Sequence, residues 1–403
     1  MPSVDPGRER LRIVVVHNRY RSAQPSGENL VVEQEADLLR AAGHEVVPYE
    51  RASDDIVGFS LPRRTLVPGR VVWSPEDRGR LARLLDQVRP DVVHLHNTFP
   101  LISPSVIEAC RTHGVLVVAT LHNFRLMCAN AQLLRDGRPC DLCVGHIPWR
   151  GVVHRCYRDS ARASLPVAVG IQVHRSRQTW TRGVTTFIAL TEFVRQQYVA
   201  GGFPADRIRI KPNFVPRPSR RRAGPGNYFL YLGRLSAEKG VDVLLDAWDP
   251  GLGQLLIVGD GPARLDLEVR ARRHGESVKF LGSQSRERCM ELLDNARALV
   301  VASRVYETFG LVAVEACAHG VPAVAPASGA FPEVVRDGQT GLLFSPGDPA
   351  GLRRRLRQLL DPEQSTRMGV EARRRYEAEY TPERNLATLV AIYREAIARP
   401  TPS

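Results

Sequence analysis

Short apolar runs alternate with amphipathic segments over the first 121 residues. Residues 11–16 are a β-branched run that predicts a strand, and the apolar periodicity over residues 30–39 predicts the helix that follows it. The same alternation then predicts strands at 45–48, 90–95 and 115–121 and helices at 75–88 and 103–112. Helices that alternate with short apolar strands are typical of βαβ units on a parallel sheet.

The alternation stops and then restarts. Residues 212–226 contain four prolines and no periodicity, which predicts an exposed linker. Beyond the linker, strands are predicted at 228–232, 254–258, 278–281, 298–301 and 323–325, and helices at 240–247, 264–274, 285–295 and 311–319. The predicted fold class is α/β, with two Rossmann-like, doubly wound parallel-sheet domains that face each other across a cleft.

The predicted domain boundaries follow from this pattern. Residues 1–211 form the first domain, 212–226 the linker and 227–381 the second domain, while a last helix at 382–403 packs back on the first domain. Each domain places its ligands at the carboxyl ends of its strands. His17, His94, His96 and His122 are all expected at or just beyond strand ends.

Length and composition indicate a folded, soluble protein. The 403 residues are 43% hydrophobic and 25% charged, and no apolar run approaches the ~20 residues that cross a bilayer. The first apolar stretch, residues 13–16, is too short for a signal-peptide core. We therefore expect a cytoplasmic protein, and a peripheral position on the inner face of the plasma membrane stays open.

The net charge of +13 is concentrated in one segment. Residues 145–222, called the basic window below, hold 15 Lys and Arg against 3 Asp and Glu. Such an excess suits nucleic acid, an anionic membrane or a phosphorylated substrate. Nucleic acid is disfavoured because the window shows neither the aromatic pattern typical of single-strand-binding platforms nor a recognisable reading motif. Within it, residues 161–180 form either a solvated helix face or a surface for an anionic membrane or a phosphorylated, lipid-linked acceptor.

The strongest chemical motif is VASRVYETFGLVAVEAC at residues 301–317. Glu307 precedes a predicted helix and Glu315 lies about two turns into it. The free amides of Phe309, Gly310 and Leu311 point outward at the helix start and suit hydroxyl or phosphate oxygens. Alone, such a pair of glutamates would indicate an ordinary capped helix. Whether it belongs to a ligand site depends on the other motifs of the second domain.

Two further loops of the second domain strengthen the motif. YLGRLSAEKG places Gly233, Arg234 and Lys239 after the first strand, where two cations and nearby amides suit a diphosphate. The next strand ends at Gly259 and Gly261, which permit close backbone approach to a ligand. A dehydrogenase is disfavoured because an arginine takes the last position of the Gly-x-Gly-x-x-Gly spacing.

With these motifs in this order, nearly the whole chain resembles the family-4 retaining glycosyltransferases of GT-B architecture. The resemblance implies that Glu315 binds the donor ribose and Glu307 the donor sugar. It implies that the amides of residues 309–311 hold sugar hydroxyls. Arg234 and Lys239 match the pair that neutralises the donor diphosphate.

The resemblance extends to the first domain and to the base-binding loop. Gly27, followed by Glu28, resembles the glycine loop that approaches the diphosphate, and His122 matches a histidine near the reacting centre. Leu281 lies in a segment that resembles the loop flanking the nucleotide base. The acceptor is expected on first-domain loops, with candidate residues His96, Asn97 and Asn123.

The implied reaction is retaining sugar transfer from a nucleoside-diphosphate sugar, UDP favoured and GDP next, to a sugar, lipid-linked or small-molecule acceptor. No catalytic metal is expected, because cations and helix dipoles stabilise the leaving group and the chain has no Asp-x-Asp motif. A GT-B epimerase or hydrolase of sugar nucleotides is the alternative enzyme, and paired carboxylates alone would also fit a glycosidase. A basic nucleic-acid-binding protein is the alternative from another class.

Four cysteines form a separate motif. Cys128, Cys140, Cys143 and Cys156 fall within 29 residues, and the middle two form a Cys-x-x-Cys. Such a set can close a structural zinc site, although the outer spacings are longer than usual. Unligated thiols, as expected for the other three cysteines, are the alternative.

Overall fold

The computed structural model describes residues 10–22, 27–220, 222 and 224–399. These residues form two compact units. The first contains the chain up to Leu133, the segment Cys140–Lys211 and the chain from Asn385 onward. The second contains Leu134–Pro139 and Pro212–Arg384. Residues 1–9, 23–26, 221, 223 and 400–403 lie outside the described residues, so the predicted linker and last helix are described only in part.

The strands are β1 (Arg12–Arg19), β2 (Glu45–Ala52), β3 (Val92–Asn97), β4 (Leu116–Leu121), β5 (Leu134–Arg135), β6 (Arg138–Pro139), β7 (Thr186–Ala189), β8 (Ile208–Ile210), β9 (Tyr228–Leu232), β10 (Gln254–Val258), β11 (Val278–Gly282), β12 (Ala296–Val300), β13 (Ala323–Pro326) and β14 (Gly341–Phe344). The α-helices are α1 (Gly27–Ala41), α2 (Leu61–Thr65), α3 (Val67–Val72), α4 (Pro75–Val88), α5 (Ser105–Thr112), α6 (Trp149–Val153), α7 (Ala161–Ser176), α8 (Thr179–Gly183), α9 (Glu192–Ala200), α10 (Val241–Ala247), α11 (Arg264–Ala271), α12 (Arg286–Asp294), α13 (Leu311–His319), α14 (Phe331–Val334), α15 (Pro349–Gln358), α16 (Pro362–Glu379) and α17 (Pro382–Ala398).

The first unit is built on a six-stranded parallel sheet. Its strand order is β2-β1-β3-β4-β7-β8. The strands β1, β3 and β4 are apolar along nearly their whole length because helices cover both faces of such a sheet. Helix α17 completes the core: Leu389, Ile392 and Tyr393 pack against Leu11 and Ile13.

The second unit repeats this architecture. Its sheet is also parallel and has the order β11-β10-β9-β12-β13-β14. In both sheets the strand order reverses beside the first strand of the unit, between β1 and β3 and between β9 and β12. In open α/β sheets, ligands bind outside the carboxyl ends of the strands at such a reversal. The two parallel sheets with flanking helices confirm the predicted fold class of each domain.

Several element boundaries differ from the prediction. The polar residues His17 and Asn18 lie inside β1, and His94 and His96 lie inside β3, so only His122 directly follows its strand. The sequence predicts that the strands end at these polar residues. The strands continue because the buried polar side chains have hydrogen-bond partners in the fold. The hairpin of β5 and β6 groups with the second unit, although the sequence predicts residues 1–211 as one domain.

The predicted linker is not exposed throughout. Asn213, Phe214 and Val215 are buried, and the amide of Val215 donates to the Tyr380 carbonyl at 3.2 Å. The basic window is likewise not a continuous solvated face, because Val167 and Ile171 on α7 are buried. Among the described residues, no helix is long and apolar enough to cross a membrane.

Candidate active site

The reversal between β9 and β12 in the second unit brings two predicted residues together. The Lys239 Nζ lies 2.6 Å from Glu307 Oε1, and the Ser303 hydroxyl donates to the same oxygen at 3.0 Å. Burial raises the pKa of Glu307, but the Lys239 charge and these hydrogen bonds outweigh it and leave the pKa below its usual value. Burial lowers the pKa of Lys239, and the Glu307 carboxylate reverses the shift. The site therefore holds a fixed cation and a fixed carboxylate.

The other predicted cation stands apart from this pair. Arg234 is exposed, and it pairs with no carboxylate in the part of the chain that the structure describes. Gly233, also exposed, donates its amide to the Val258 carbonyl at 3.1 Å. The loop after β9 thus offers an uncompensated guanidinium near a reversal point, which suits an anionic ligand.

Helix α13 begins where the sequence predicts it. Gly310 precedes it with φ of 80°, and a Cβ at this position would lie 2.6 Å from Phe331 Cε1, so glycine is required there. The amides of Phe309, Gly310 and Leu311 are therefore at the start of a nine-residue helix. Phe309 itself is buried.

Glu315 is buried inside α13 and has a partner that sequence reasoning missed. Arg286, at the start of α12, places its Nη1 2.9 Å from Glu315 Oε1. Burial raises the pKa of Glu315 above its usual value, and the Arg286 charge only partly opposes the shift. Nothing in the local sequence around Arg286 marks it, because the pairing arises from the packing of α12 on α13.

Gly259 and Gly261 have a packing role that the sequence does not reveal. A Cβ at Gly259 would lie 1.9 Å from the Gly233 carbonyl oxygen, and one at Gly261 would lie 2.3 Å from the Leu235 carbonyl oxygen. The Leu235 amide also donates to the Asp260 carbonyl at 2.9 Å. These glycines bring the loops after β9 and β10 together. Leu281, near the end of β11, is partly buried.

In the first unit, His122 belongs to a set of neutral histidines. Its Nε2 lies 2.9 Å from His96 Nδ1, and the ring of His96 lies 4.0 Å from that of His94. Burial, assisted by His17 and Lys211, lowers the pKa of His122 to about 3, and burial also holds the pKa values of His94 and His96 well below normal. At neutral pH His122 is an uncharged imidazole.

A second unpredicted group lies beside the candidate acceptor residues. The Glu28 carboxylate, directly after Gly27 at the start of α1, accepts from the Tyr20 hydroxyl at 3.2 Å and from Asn123 Nδ2 at 3.4 Å. Burial raises the pKa of Glu28 to about 8, against the opposing hydrogen bonds. The sequence singled out the glycine of this pair, whereas the structure gives its neighbour the perturbed pKa and the contact with Asn123.

Asn97 shapes the backbone at the end of β3. Its side chain donates to the Asn18 carbonyl at 2.9 Å and accepts from the Phe99 amide at 2.9 Å. His94 is similarly committed, with one ring nitrogen 2.7 Å from the Tyr393 hydroxyl and the other 2.7 Å from that of Thr120. These contacts hold the strand ends in place.

One group of side chains in the described residues has the spacing of a metal site. Polar atoms of Glu35, His94 and His96 lie within 4.8 Å of one another, and all three residues are buried. This set fits a metal poorly, because both nitrogens of His94 are hydrogen-bonded and Glu35 is paired with the buried Lys211. We regard it as a structural polar cluster.

The four cysteines of the predicted zinc site lie in the first unit. Within the described residues, no three of their sulfur atoms come within 4.8 Å of one another, and the Cys128 thiol donates to Asn130 Oδ1 at 3.0 Å. Zinc would require the sulfurs to converge, so zinc binding stays a prediction of the sequence. Metal analysis tests it: zinc near one equivalent that is lost in Cys140→Ser would support the site, and its absence from the wild-type protein would end the idea.

Comparison with known proteins defines the class. Residues 25–217 match the family described as Glycosyltransferase Family 4, and residues 216–375 match Glycosyl transferases group 1. The glycogen synthase of Mycobacterium tuberculosis is 28% identical over 414 residues, covering 92% of this chain and 91% of that protein. The phosphatidyl-myo-inositol mannosyltransferase of Mycobacterium leprae is also 28% identical, and the alignment covers 89% of this chain and 91% of that protein.

Solved structures agree on the fold. Anabaena HepE in complex with UDP and glucose superposes with a TM-score of 0.63 at 18% identity, covering 94% of this chain and 98% of its own. The chain is therefore an enzyme, a glycosyltransferase of hexosyltransferase type with the GT-B fold. It belongs to the family-4 type of these enzymes, as the motif resemblance predicts.

Proposed function

We propose that this enzyme transfers a sugar, with retention, from a UDP-sugar to an acceptor bound by the first unit. The observation that carries the proposal is the Lys239–Glu307 pair at the reversal point of the second sheet, beside the start of α13. A cation, a carboxylate and free helix amides together suit the diphosphate and the hydroxyls of a nucleotide sugar.

The donor would lie along the carboxyl ends of β9, β10 and β12. Arg234 and Lys239 would neutralise the diphosphate, Glu307 would bind sugar hydroxyls, and Glu315 would accept from the ribose. Leu281 would flank the base. UDP is favoured over GDP because HepE, a protein of this fold, was solved with UDP and glucose.

The reaction would proceed by departure of the diphosphate. The bond between the anomeric carbon and the phosphate oxygen breaks, and its electron pair stays on UDP, where Arg234, Lys239 and the α13 dipole stabilise the charge. An acceptor oxygen bonds to the same carbon from the same face, and its proton passes to the departing phosphate. No metal is needed for this step, so chelation by EDTA should leave turnover within about twofold.

His122 is proposed to act as a neutral group near the reacting centre. With a pKa of about 3, His122 is not an imidazolium at neutral pH and cannot act as a general acid, so it would orient the sugar by hydrogen bonding as a neutral imidazole. Asn123 would lie on the acceptor side, fixed by its contact with Glu28.

Turnover of UDP-glucose and related donors tests the proposal. Lys239→Ala and Glu307→Gln should each lower kcat/KM for the donor by about 10²-fold or more. The first variant removes a cation that neutralises the diphosphate, and the second weakens the acceptor of hydrogen bonds from the sugar hydroxyls. Wild-type protein should gain about 2.7 kcal/mol of stability when the donor is at 100 times its Kd. The anomeric configuration of the product, read by NMR, tests retention.

A matched control separates these effects from the loss of any ion pair. Glu291→Gln breaks an exposed pair with Arg288, whose atoms lie 2.9 Å apart on α12, and it should leave turnover unchanged. Full activity in Lys239→Ala would contradict the donor site. Release of free sugar at the same rate with and without every acceptor would indicate a hydrolase instead.

A further inference from the structure

A cavity of about 430 Å³ in the first unit is not used by the donor site. It lies against α7 and is called the α7 cavity below; its apolar wall includes Val71, Phe99, Val167, Ile171 and Trp180. The volume falls in the range of small-molecule sites. The lining also includes the polar side chains of Thr98, His174, Gln178 and Thr181, so the cavity has both an apolar and a polar part.

The charged groups of the α7 cavity are all basic. Arg125 and Arg175 line it, and its lining, within the described residues, includes no aspartate or glutamate. The Arg125 guanidinium lies 4.4 Å from the Phe99 ring and 5.2 Å from the Tyr157 ring and donates to the Ala129 carbonyl. Arg125 forms no ion pair within the described residues. Glu28 acts on it electrostatically, but burial raises the pKa of Glu28 to about 8, so little negative charge offsets Arg125 at neutral pH. The cavity thus joins an apolar wall to a cation that has no ion-pair partner, which is complementary to an apolar anion.

Arg125 also connects this cavity to the candidate acceptor residues. A small neighbouring pocket is lined by His96, His122 and Asn123. The two spaces share five lining residues, Thr98, Phe99, Arg125, Leu126 and Trp180. A ligand in the α7 cavity can therefore present its anionic end at Arg125 beside His122.

The surface next to the α7 cavity favours a lipid source for this ligand. Gly145 and Arg175 line the cavity, and Arg175 donates to the His146 carbonyl. The chain continues from there into exposed apolar residues: Ile147 is 56%, Trp149 47% and Val153 75% exposed. Four exposed arginines lie among or near them and form no ion pair in the described part of the chain, namely Arg150, Arg155, Arg158 and Arg162. Exposed apolar and aromatic side chains interspersed with arginine suit the interface of an anionic membrane.

We propose that the α7 cavity binds the apolar chain of a phosphorylated lipid acceptor, whose phosphate lies at Arg125. This assignment rests on the proposed function, because it names the acceptor class of that reaction. A lipid is chosen over a soluble aromatic acid because the cavity borders the apolar, arginine-rich surface around Trp149.

Calorimetric binding to the full chain tests this, with farnesyl phosphate below its micelle concentration as the probe. Farnesol lacks the anion and inorganic phosphate lacks the chain, so each should bind at least tenfold more weakly than farnesyl phosphate. Arg125→Gln should weaken the binding of farnesyl phosphate at least tenfold. Ala200→Trp should do the same by narrowing the cavity, and because Ala200 is exposed at the end of α9 the fold should tolerate it.

The matched control is Arg83→Gln, which removes one exposed positive charge from α4, outside the cavity lining and outside the surface around Trp149. It should change the affinity for farnesyl phosphate by less than twofold. An effect equal to that of Arg125→Gln would show that net charge alone attracts the ligand, and it would overturn the site.

Other outcomes also decide the matter. Tighter binding of 2-naphthoate than of farnesyl phosphate would assign the cavity to a small aromatic acid and overturn the lipid assignment. Absence of farnesyl phosphate binding in a protein that binds and turns over UDP-glucose would overturn the lipid site alone. Absence of binding and turnover with every sugar nucleotide would instead overturn the proposed function.

Discussion

Single residues at the loop ends of the second unit are constrained by backbone packing as well as by chemistry. Gly259 has φ of 136°, and a Cβ there would overlap the Gly233 carbonyl oxygen at 1.9 Å. The sequence does not distinguish a glycine that binds a ligand from one that allows close packing, since both are glycines after a strand. The two roles are distinguished by the distance from the Cβ position to the neighbouring loop.

Gly259→Ala should therefore lower the free energy of unfolding by about 3 kcal/mol or more, because neither the φ angle nor the carbonyl contact tolerates a methyl group. Urea denaturation measures the change. Gly253→Ala is the control, since Gly253 also has a positive φ of 92° but nothing lies within 4 Å of its Cβ position. That variant should lose only about 1–2 kcal/mol. Equal losses would show that φ strain alone matters.

At the scale of elements, helix α17 is the clearest case of a long-range dependence. It is the last helix in the chain, yet Tyr393 is fully buried in the first unit with its hydroxyl 2.7 Å from His94 Nδ1. The amphipathic pattern predicts the helix. The partner strand, almost 300 residues earlier, is decided only by folding.

Tyr393→Phe should cost about 1–3 kcal/mol of stability, because it leaves a buried ring nitrogen of His94 without its partner. Thermal and urea unfolding measure this. Glu395→Gln on the same helix weakens a partly exposed pair with Arg209 and should cost less than about 1 kcal/mol. A loss no larger in Tyr393→Phe than in this control would mean that the hydroxyl contact contributes little.

At the scale of the whole molecule, the buried histidines make the first unit sensitive to acid. The pKa of His122 is lowered to about 3, and those of His94 and His96 lie well below normal, mainly through burial. Unfolding restores the ordinary value of about 6.5, so the unfolded chain binds more protons between these limits. Stability is therefore lost as the pH falls below about 6.5.

Each such histidine should contribute up to about 1.4 kcal/mol per pH unit to this loss. Urea unfolding at pH 7, 6 and 5 gives the pH dependence of the free energy of unfolding, which counts the protons taken up on unfolding. In His94→Gln this number should be smaller by about one proton than in the wild-type protein. An unchanged number in His94→Gln would contradict the burial origin of the acid sensitivity.

Much of the architecture could be predicted because its signals are local. The strands β9 and β10 and the helix α13 have the bounds that hydrophobic periodicity predicts, and α4 begins and ends as predicted. The burial of Asn213, Phe214 and Val215 in the supposed linker could not be predicted, because proline-rich local composition says nothing of the distant backbone that covers them.

The sequence by itself determined the two parallel-sheet domains and the glycosyltransferase class, and it predicted Lys239 and Glu307 for one donor site, because each depends on local periodicity or on motifs that follow predictable strand ends. Only the tertiary structure decided the rest. The Arg286–Glu315 pair, the raised pKa of Glu28 and the α7 cavity arise where separate elements pack together. Burial and pairing are properties of three-dimensional neighbours, and no spacing along the chain encodes them directly.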